Sequence, residues 1–263
     1  MDSLGNGRLN AKSLRTALVV AHPGHELLVH GWLEAARPLV FVLTDGSGRL
    51  NQSRLTSTTK VLNQTGARSG AIYGRLTDTE AYATILNHQY DLFIGLAREL
   101  CEALVAERID YLAGDALEGY NPMHDVCRLV IDAAVTAARR ARGHTVANFA
   151  FSLIDQQSTR QTASHVDGIC RLLDDSALAR KMSAAKEYAE LAGEIQPRLQ
   201  HTSTEALRTE CLHPVNLNPS AHFSDPIPFY EQYGEQQVAA GYYRQVIRFN
   251  EHLAPLAEAL ARS

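Results

Sequence analysis

Two histidines and a glutamate follow the first strand that the sequence predicts. Residues 16–21, TALVVA, form an apolar run of strand length, and His22, His25 and Glu26 come directly after it. Imidazole is the commonest metal-binding side chain, and three protein ligands with an open fourth position describe a catalytic zinc site. His22 and His25 could therefore hold one side of a metal ion.

A third ligand can come from a neighbouring strand. We predict a second strand at residues 39–43 and a third at residues 109–113. The polar residues that follow these two strands are Thr44 and Asp45 after the second, and Asn121, His124 and Asp125 after the third. Since open α/β sheets bind ligands at the carboxyl ends of their strands, we expect His124 to close the site.

Each of these residues also has an ordinary structural explanation. The chain has eleven histidines, so two of them close together can arise by chance. Asp45 either contacts a metal-bound histidine or forms an Asp-Gly turn. Asp125 is either a catalytic base or a cap at the N-terminus of the next helix, and the cap is favoured.

The elements that must position these residues alternate between strand and helix. A fourth strand is predicted at residues 145–153, residues 49–75 are polar, and the chain is loop-rich after residue 208. Helices are predicted at residues 26–36, 57–70, 90–107, 124–142 and 177–199, and from near residue 236 or 244 to residue 262. This alternation predicts a Rossmann-like three-layer α/β sandwich with a mostly parallel sheet and a C-terminal loop and helix extension. We expect a flexible lead-in over residues 1–15 and one domain over residues 16–263.

Composition narrows the classes of partner. The 263 residues carry a net charge of −4, so no basic surface for nucleic acid is expected. The sequence has no apolar run long enough for a transmembrane segment and no signal-peptide pattern at its start. The four cysteines are scattered without a CxxC pair, which predicts four free thiols and a cytoplasmic location.

Two motifs in this order resemble a known family. VVAHPGHE resembles the AHPDDE motif of the PIG-L/LmbE family of zinc-dependent N-acetylglucosaminyl deacetylases, and GYNPMHD resembles that family's HPDH motif. FVLTDGSG resembles its second strand and turn, and KMSAAKEYAELAGEIQ is a weaker match. The resemblance is clear over residues 16–138 and looser to about residue 200.

The resemblance implies roles for individual residues. His22, His25 and His124 would bind Zn²⁺ or another divalent metal, with His25 in the place of the family's aspartate. Glu26 would orient the loop, and His222 would stabilise the oxyanion. Three other loop histidines compete with His222 for that role: His165, His201 and His213.

The sequence also departs from the family's pattern. Gly24 stands where the family has its general-base aspartate, while Asn121 and Met123 replace the first histidine and the aspartate of HPDH. Three neutral histidines leave a zinc site at a net charge of +2, as in carbonic anhydrase, where bound water reaches a pKa of about 7. General acid–base catalysis is nevertheless worth about 10²–10⁴-fold, so the lost carboxylate matters. Gly24→Asp is expected to raise hydrolysis if its backbone tolerates a side chain.

The function expected from these features is metal-dependent hydrolysis of an amide C–N bond. The substrate would be an N-acetylated sugar or a small amide, and zinc would polarise the carbonyl and supply hydroxide as nucleophile. Arg68 and Arg75 either hold an anionic or sugar-linked substrate or lie at the surface. The alternative function is a catalytically silent relative that binds a sugar or a metal in a biosynthetic assembly. AHPGHE lacks the glycine spacing of a dinucleotide site, and the sequence leaves a homo-oligomer open.

Overall fold

A seven-stranded sheet forms the centre of the molecule. The computed structural model describes residues 14–48, 51–142, 145–153, 168–193, 203–215 and 227–263. In these residues the strands lie in the order β3-β2-β1-β4-β5-β7-β6. Their bounds are Thr16–Val20 (β1), Leu39–Thr44 (β2), Arg68–Leu76 (β3), Tyr111–Asp115 (β4), Ala147–Phe151 (β5), Ile169–Leu172 (β6) and Thr209–Pro214 (β7).

The sheet is parallel from β3 to β5 and antiparallel at its other edge. β1 pairs in parallel with both β2 and β4, so that Val19 lies between Phe41 and Gly114. β7 runs antiparallel to β5 and to β6. The strand order reverses between β1 and β4, and this switch point is where open α/β sheets bind ligands.

Helices cover both faces of the sheet. The α-helices are His30–Ala36 (α1), Leu55–Thr65 (α2), Asp78–Leu86 (α3), Tyr90–Ala106 (α4), Pro122–Arg142 (α5), Asp175–Lys186 (α6), Thr204–Arg208 (α7), Phe229–Ala239 (α8) and Ala254–Arg262 (α9). Alternate residues of β1 face opposite layers: Val19 packs with α4, α5 and α9, while Val20 packs with α1 and α2. Such burial on both sides explains why β1, β2 and β4 read as continuous apolar runs.

The expected three-layer α/β class is confirmed, but several elements differ from the prediction. The helix expected at residues 26–36 starts as a 3₁₀ turn, His25–Val29, before α1. The stretch 49–75 was expected to be polar with one helix, whereas it contains α2 and most of the edge strand β3. β3 buries Ile72 and Leu76 while most of its other residues are partly or fully exposed, so it lacks the apolar run of a central strand.

The C-terminal part also has more structure than expected. β7 lies inside the region that the sequence presented as loop-rich. The last helix, predicted from near residue 236 or 244, begins only at a π-helical turn, Phe249–Leu253, and continues as α9; α8 lies mostly before the predicted start. The division into a lead-in and a single domain over residues 16–263 stays a prediction.

The prediction of four free thiols is wrong. Cys170 and Cys211 form a disulfide, because β6 and β7 place them directly opposite each other with Cα atoms 4.1 Å apart. Cys101 and Cys127 are free. A denatured, unreduced sample should therefore titrate as two thiols, and the expected cytoplasmic location loses one of its supports.

In the part of the chain described here, no helix has both the length and the apolar character needed to cross a membrane.

Candidate metal centre

Three imidazole rings meet at the switch point of the sheet. The ring centroids of His22 and His25 are 5.4 Å apart, those of His22 and His124 are 5.2 Å apart, and those of His25 and His124 are 4.6 Å apart. We call these three residues the histidine cluster. His22 and His25 follow β1, and His124 lies in the first turn of α5, after β4.

The turn after β1 depends on a glycine. Gly24 has φ 105°, a left-handed conformation that residues with a side chain rarely adopt. A Cβ at this position would overlap Cδ1 of Leu191. The Gly24 N–H donates to Oε2 of Glu26 at 2.6 Å, so Glu26 holds the turn that carries both histidines.

His22 is oriented by a hydroxyl and a carboxylate. Its Nδ1 lies 2.8 Å from Oγ1 of Thr44 and 3.1 Å from Oδ1 of Asp78. The Thr44 hydroxyl donates its proton to the Ala21 carbonyl, which makes Nδ1 of His22 the donor. The lone pair is then on Nε2, which is buried and has no hydrogen-bond partner. Burial opposes ionisation of Asp78, but the hydrogen bonds from His22 and from the Gly48 N–H outweigh it, and the pKa of Asp78 lies well below its usual value.

His25 is oriented in the same way by Asp115. Its Nδ1 lies 3.0 Å from both carboxylate oxygens of Asp115, the last residue of β4. Asp115 is fully buried and also accepts the Ala21 N–H at 2.8 Å. A carboxylate cannot donate, so Nδ1 of His25 carries the proton and Nε2 carries the lone pair.

His124 is held by the start of α5. Asn121 caps this helix, since its Oδ1 accepts the Met123 N–H at 2.8 Å and the Tyr82 hydroxyl at 3.1 Å. Nδ1 of His124 is buried without a hydrogen-bond partner. Burial, with the two neighbouring histidines, lowers the pKa of His124 well below its ordinary value and keeps the ring neutral.

The three rings are spaced as imidazoles around one divalent ion would be, but their nitrogens do not all come within 4.8 Å of one another among the described residues, so an ion would have to draw the rings together. Nitrogens about 2.0–2.1 Å from a tetrahedral zinc place imidazole centroids roughly 5 Å apart, as the three rings are here. Neutral imidazoles oriented through Nδ1 by carboxylates are the usual arrangement around bound zinc. The unpartnered nitrogens of His22 and His124 are the atoms that such an ion would satisfy.

A second set of ligand-type side chains lies elsewhere, in the turn before α4 and in the π-helical turn. Atoms of His88, Glu251 and His252 all lie within 4.8 Å of one another. However, His88 and Glu251 are exposed, and the rings of His88 and His252 stack face to face, with 10° between their planes. Two stacked rings do not aim their edges at one ion, whereas the rings of the histidine cluster meet edge to face.

Glu26 and Asp125, the two carboxyls expected in catalysis, are buried beside the cluster. Burial raises the pKa of each to about 7. Asp125 does not cap α5 as the sequence favoured, because Asn121 does so. Instead, Oδ1 of Asp125 accepts the N–H groups of Glu118 and Gly119 and holds the loop before the helix.

None of the other residues that the sequence proposed for the site is placed in the histidine cluster by the described part of the chain. Oδ1 of Asp45 accepts the Ser47 N–H, which makes Asp45 a turn residue. Arg75 pairs with Glu99 at the surface, and Arg68 is exposed at the start of β3. Outside the described residues lie His222, His165 and His201. His213 pairs with Ala150 in the sheet.

Sequence reasoning missed the two carboxylates that orient the histidines. Asp115 carried a signal, because it ends β4, a buried strand that pairs directly with the strand before His22. No sequence signal marked Asp78, because it follows the edge strand β3, whose polar sequence does not resemble a buried strand.

Three solved structures that share this fold are described as deacetylases. A deacetylase–bog complex from the teicoplanin biosynthesis pathway aligns with a TM-score of 0.54 and 13% identity, over 77% of this chain and 99% of its own. A deacetylase–teicoplanin complex from the same pathway aligns with a TM-score of 0.51 and 11% identity, and the alignment covers 76% of this chain and 97% of that one. The A40926 pseudoaglycone deacetylase aligns with a TM-score of 0.50 and 16% identity, and the alignment covers 80% of this chain and 99% of that one. The sequence matches no protein-family model and no curated protein. At these identities the likeness shows the fold that the resemblance implied.

Proposed function

We propose that this chain is a PIG-L/LmbE-like, metal-dependent hydrolase that removes the acetyl group from an N-acetylated sugar. The observation that carries the proposal is the histidine cluster, in which two rings are fixed by carboxylates at the switch point of the sheet. The ordered pair of motifs and the deacetylase fold support the same assignment.

The cluster would hold the ion through three neutral nitrogens. A divalent ion at such a site supplies Lewis-acid polarisation of a carbonyl and lowers the pKa of a water molecule. Asp78 and Asp115 keep His22 and His25 in the tautomer that offers Nε2. Both histidines are largely buried, with exposed side-chain fractions of 11% and 15%, so their rings are held in one orientation.

The proton acceptor must differ from that of the family's usual pattern. At Gly24 a side chain would adopt φ 105° and would need Leu191 to move, so Gly24→Asp is strained and is a poor test of a restored base. Glu26 and Asp125 each have a pKa near the operating range of a general base. Oε1 of Glu26 is buried without a hydrogen-bond partner, which makes Glu26 the first residue to test.

The silent-relative alternative is supported by the way Leu191 fills the space beside Gly24. The two functions differ in one measurable property, because a silent relative binds a metal or a sugar without releasing acetate. This difference defines the experiment.

The experiment measures acetate release from a panel of N-acetylated sugars by the zinc-loaded protein. We expect release by the wild type, its loss in His124→Ala, and a reduction of about 10²-fold or more in Glu26→Gln if Glu26 is the base. Leu172→Ala is a matched control, because Leu172 is 68% exposed on the distant edge strand β6. Zinc-loaded wild type that releases no acetate from any sugar, or equal release by His124→Ala, would overturn the proposal.

A further inference from the structure

His124 differs from the other two residues of the histidine cluster in how its ring is held. His22 and His25 are each oriented by a carboxylate that accepts a hydrogen bond from Nδ1. Nδ1 of His124 is buried, and none of the described residues makes a hydrogen bond to it. The position of this ring therefore depends on the backbone that carries it, which is the first turn of α5.

Three N–H groups of this first turn are bound by one residue, Asn121. Its side-chain Oδ1 accepts the Met123 N–H at 2.8 Å. Its backbone carbonyl accepts the N–H groups of His124 and Asp125 at 3.2 and 3.3 Å. These are the groups that the start of a helix would otherwise leave without partners. A displacement of Asn121 would therefore displace the backbone of His124.

Asn121 is held in turn by Tyr82, which lies on α3. The Tyr82 hydroxyl lies 3.1 Å from Oδ1 of Asn121. Because an amide oxygen can only accept, the hydroxyl is the donor of this hydrogen bond. Burial raises the pKa of Tyr82 well above its usual range, and the nearby charge of Asp78 adds to the effect. The hydroxyl therefore keeps its proton at neutral pH and remains a donor.

The same helix also orients His22. Asp78 and Tyr82 are four residues apart on α3, so they lie on one face of the helix and one turn apart. Asp78 accepts from Nδ1 of His22, and Thr77 and Glu80 form a capping box that fixes the start of the helix. One turn of α3 is therefore bonded to both sides of the cluster, to the turn after β1 and to the start of α5.

We propose that Tyr82 is a positioning residue of the metal centre, whose hydroxyl sets, through the Asn121 amide, the place of His124 in the histidine cluster. The proposal rests on the proposed function only in taking this cluster as the metal site. Since the nitrogens of the three rings do not all lie within 4.8 Å of one another, a bound ion must draw the rings together. A first turn of α5 that α3 already holds needs little further ordering, whereas a loosened turn must be ordered by the ion at a cost in affinity.

The first variant, Tyr82→Phe, removes the hydroxyl and keeps the ring. We expect the affinity for zinc to fall about 10-fold, at the lower end of the range of about 10- to 100-fold that an outer hydrogen-bond partner is worth, because Tyr82 acts through Asn121. Competition with a chromophoric chelator measures the affinity. Unchanged affinity in Tyr82→Phe would overturn the proposal.

The matched control is Tyr111→Phe. Tyr111 is also a buried tyrosine whose hydroxyl has a hydrogen bond, from Nε1 of Trp32, but it lies at the amino end of β4, away from the cluster. Urea denaturation should show a loss of stability in both variants, whereas zinc affinity should fall in Tyr82→Phe alone. An equal loss of zinc affinity in both would show that lower stability, and not the position of His124, weakens binding, and would overturn the proposal.

A change at Asn121 separates the positioning of His124 from the capping of α5. Asn121→Ser keeps a capping oxygen, but its side chain is one atom shorter and does not reach the Tyr82 hydroxyl, so zinc affinity should fall as it does in Tyr82→Phe. The double variant should bind zinc as well as either single variant, because both substitutions break the same link. Wild-type affinity in Asn121→Ser, or additive losses in the double variant, would overturn the proposal.

Acetate release, measured in parallel on the zinc-loaded proteins, keeps this proposal apart from the proposed function. If Tyr82→Phe and Asn121→Ser lose zinc affinity as expected but no protein releases acetate, the positioning role stands and the hydrolase function falls. If the wild type releases acetate and all variants bind zinc equally well, the hydrolase function stands and the positioning role falls. A wild type that binds no zinc would overturn both.

Discussion

Two regions of the molecule bury polar groups, and they differ in how many of those groups have hydrogen-bond partners. The first is the histidine cluster. The second, which we call the lysine cluster, is the ion pair of Lys181 and Glu210 between α6 and β7. Lys181 donates to Glu210 and to the Leu28 carbonyl, both at 2.9 Å, and Glu210 accepts the first N–H groups of α1 at Gly31 and Trp32.

The difference between the two regions is the presence of unused hydrogen-bonding atoms. In the lysine cluster the ammonium and both carboxylate oxygens have partners within the chain. In the histidine cluster two ring nitrogens, on His22 and His124, are buried without any. A buried polar group without a partner costs about 1–3 kcal/mol, so the two ring nitrogens lower the stability of the histidine cluster, and a bound ion would relieve that cost. Substitutions in the two regions should therefore affect different properties.

The largest expected effect is on the stability provided by the lysine cluster. Glu210→Ala leaves the buried Lys181 charge unpaired and removes the cap of α1, so the free energy of unfolding should fall by about 3–5 kcal/mol. Urea denaturation measures this change. The double variant Lys181→Met/Glu210→Gln removes both charges but keeps an acceptor for α1, and should recover much of the loss. If the free energy of unfolding falls by less than about 1 kcal/mol in Glu210→Ala, the lysine cluster does not contribute to stability as a buried, fully hydrogen-bonded ion pair should.

The next effect concerns the carboxylates that orient the histidines. Asp115→Asn weakens the acceptor for Nδ1 of His25 and places an amide donor near the Ala21 N–H, so zinc affinity should fall about 10- to 100-fold. Competition with a chromophoric chelator measures the affinity. Asp45→Asn is the matched control, since among the described residues the Asp45 carboxylate accepts a turn N–H and its replacement should leave affinity unchanged. Equal losses in the two variants would show that Asp115 has no special role in metal binding.

The smallest expected effect is on the pH dependence of stability, to which the buried His30 contributes. Burial lowers the pKa of His30, near the lysine cluster, below its ordinary value of 6.5, as it does for His124. The unfolded state then binds more protons, so stability is present above pH 6.5 and falls as pH drops below it. His30→Gln should lessen the loss of stability between pH 7.5 and pH 5.5, measured by urea denaturation at each pH. The same pH dependence in wild type and variant would show that His30 is not held neutral by burial.

The sequence predicted those parts of the fold that have one strong physical cause. β1, β2 and β4 are buried on both faces, and their apolar runs reveal them directly. β3 and β6 lie at the two edges of the sheet with few buried side chains, so neither shows a run that a sequence pattern can detect.

Some residues of the candidate site can likewise be predicted from the sequence, and others cannot. His22, His25 and His124 could be found because each follows a recognisable strand. Asp78 could not, because its contact with His22 depends on the hidden strand β3. The disulfide of Cys170 and Cys211 depends on the register of β6 and β7, which cysteine spacing does not reveal.

The most direct test of the comparison is a zinc count on protein loaded with zinc and then desalted. We expect about one tightly bound zinc per chain in the wild type and in His88→Ala, and almost none in His124→Ala. His88→Ala is the matched control because it removes one ligand-type residue of the second set and leaves the histidine cluster intact. Equal zinc in wild type and His124→Ala, or a loss of zinc in His88→Ala alone, would contradict the assignment of the histidine cluster as the metal centre.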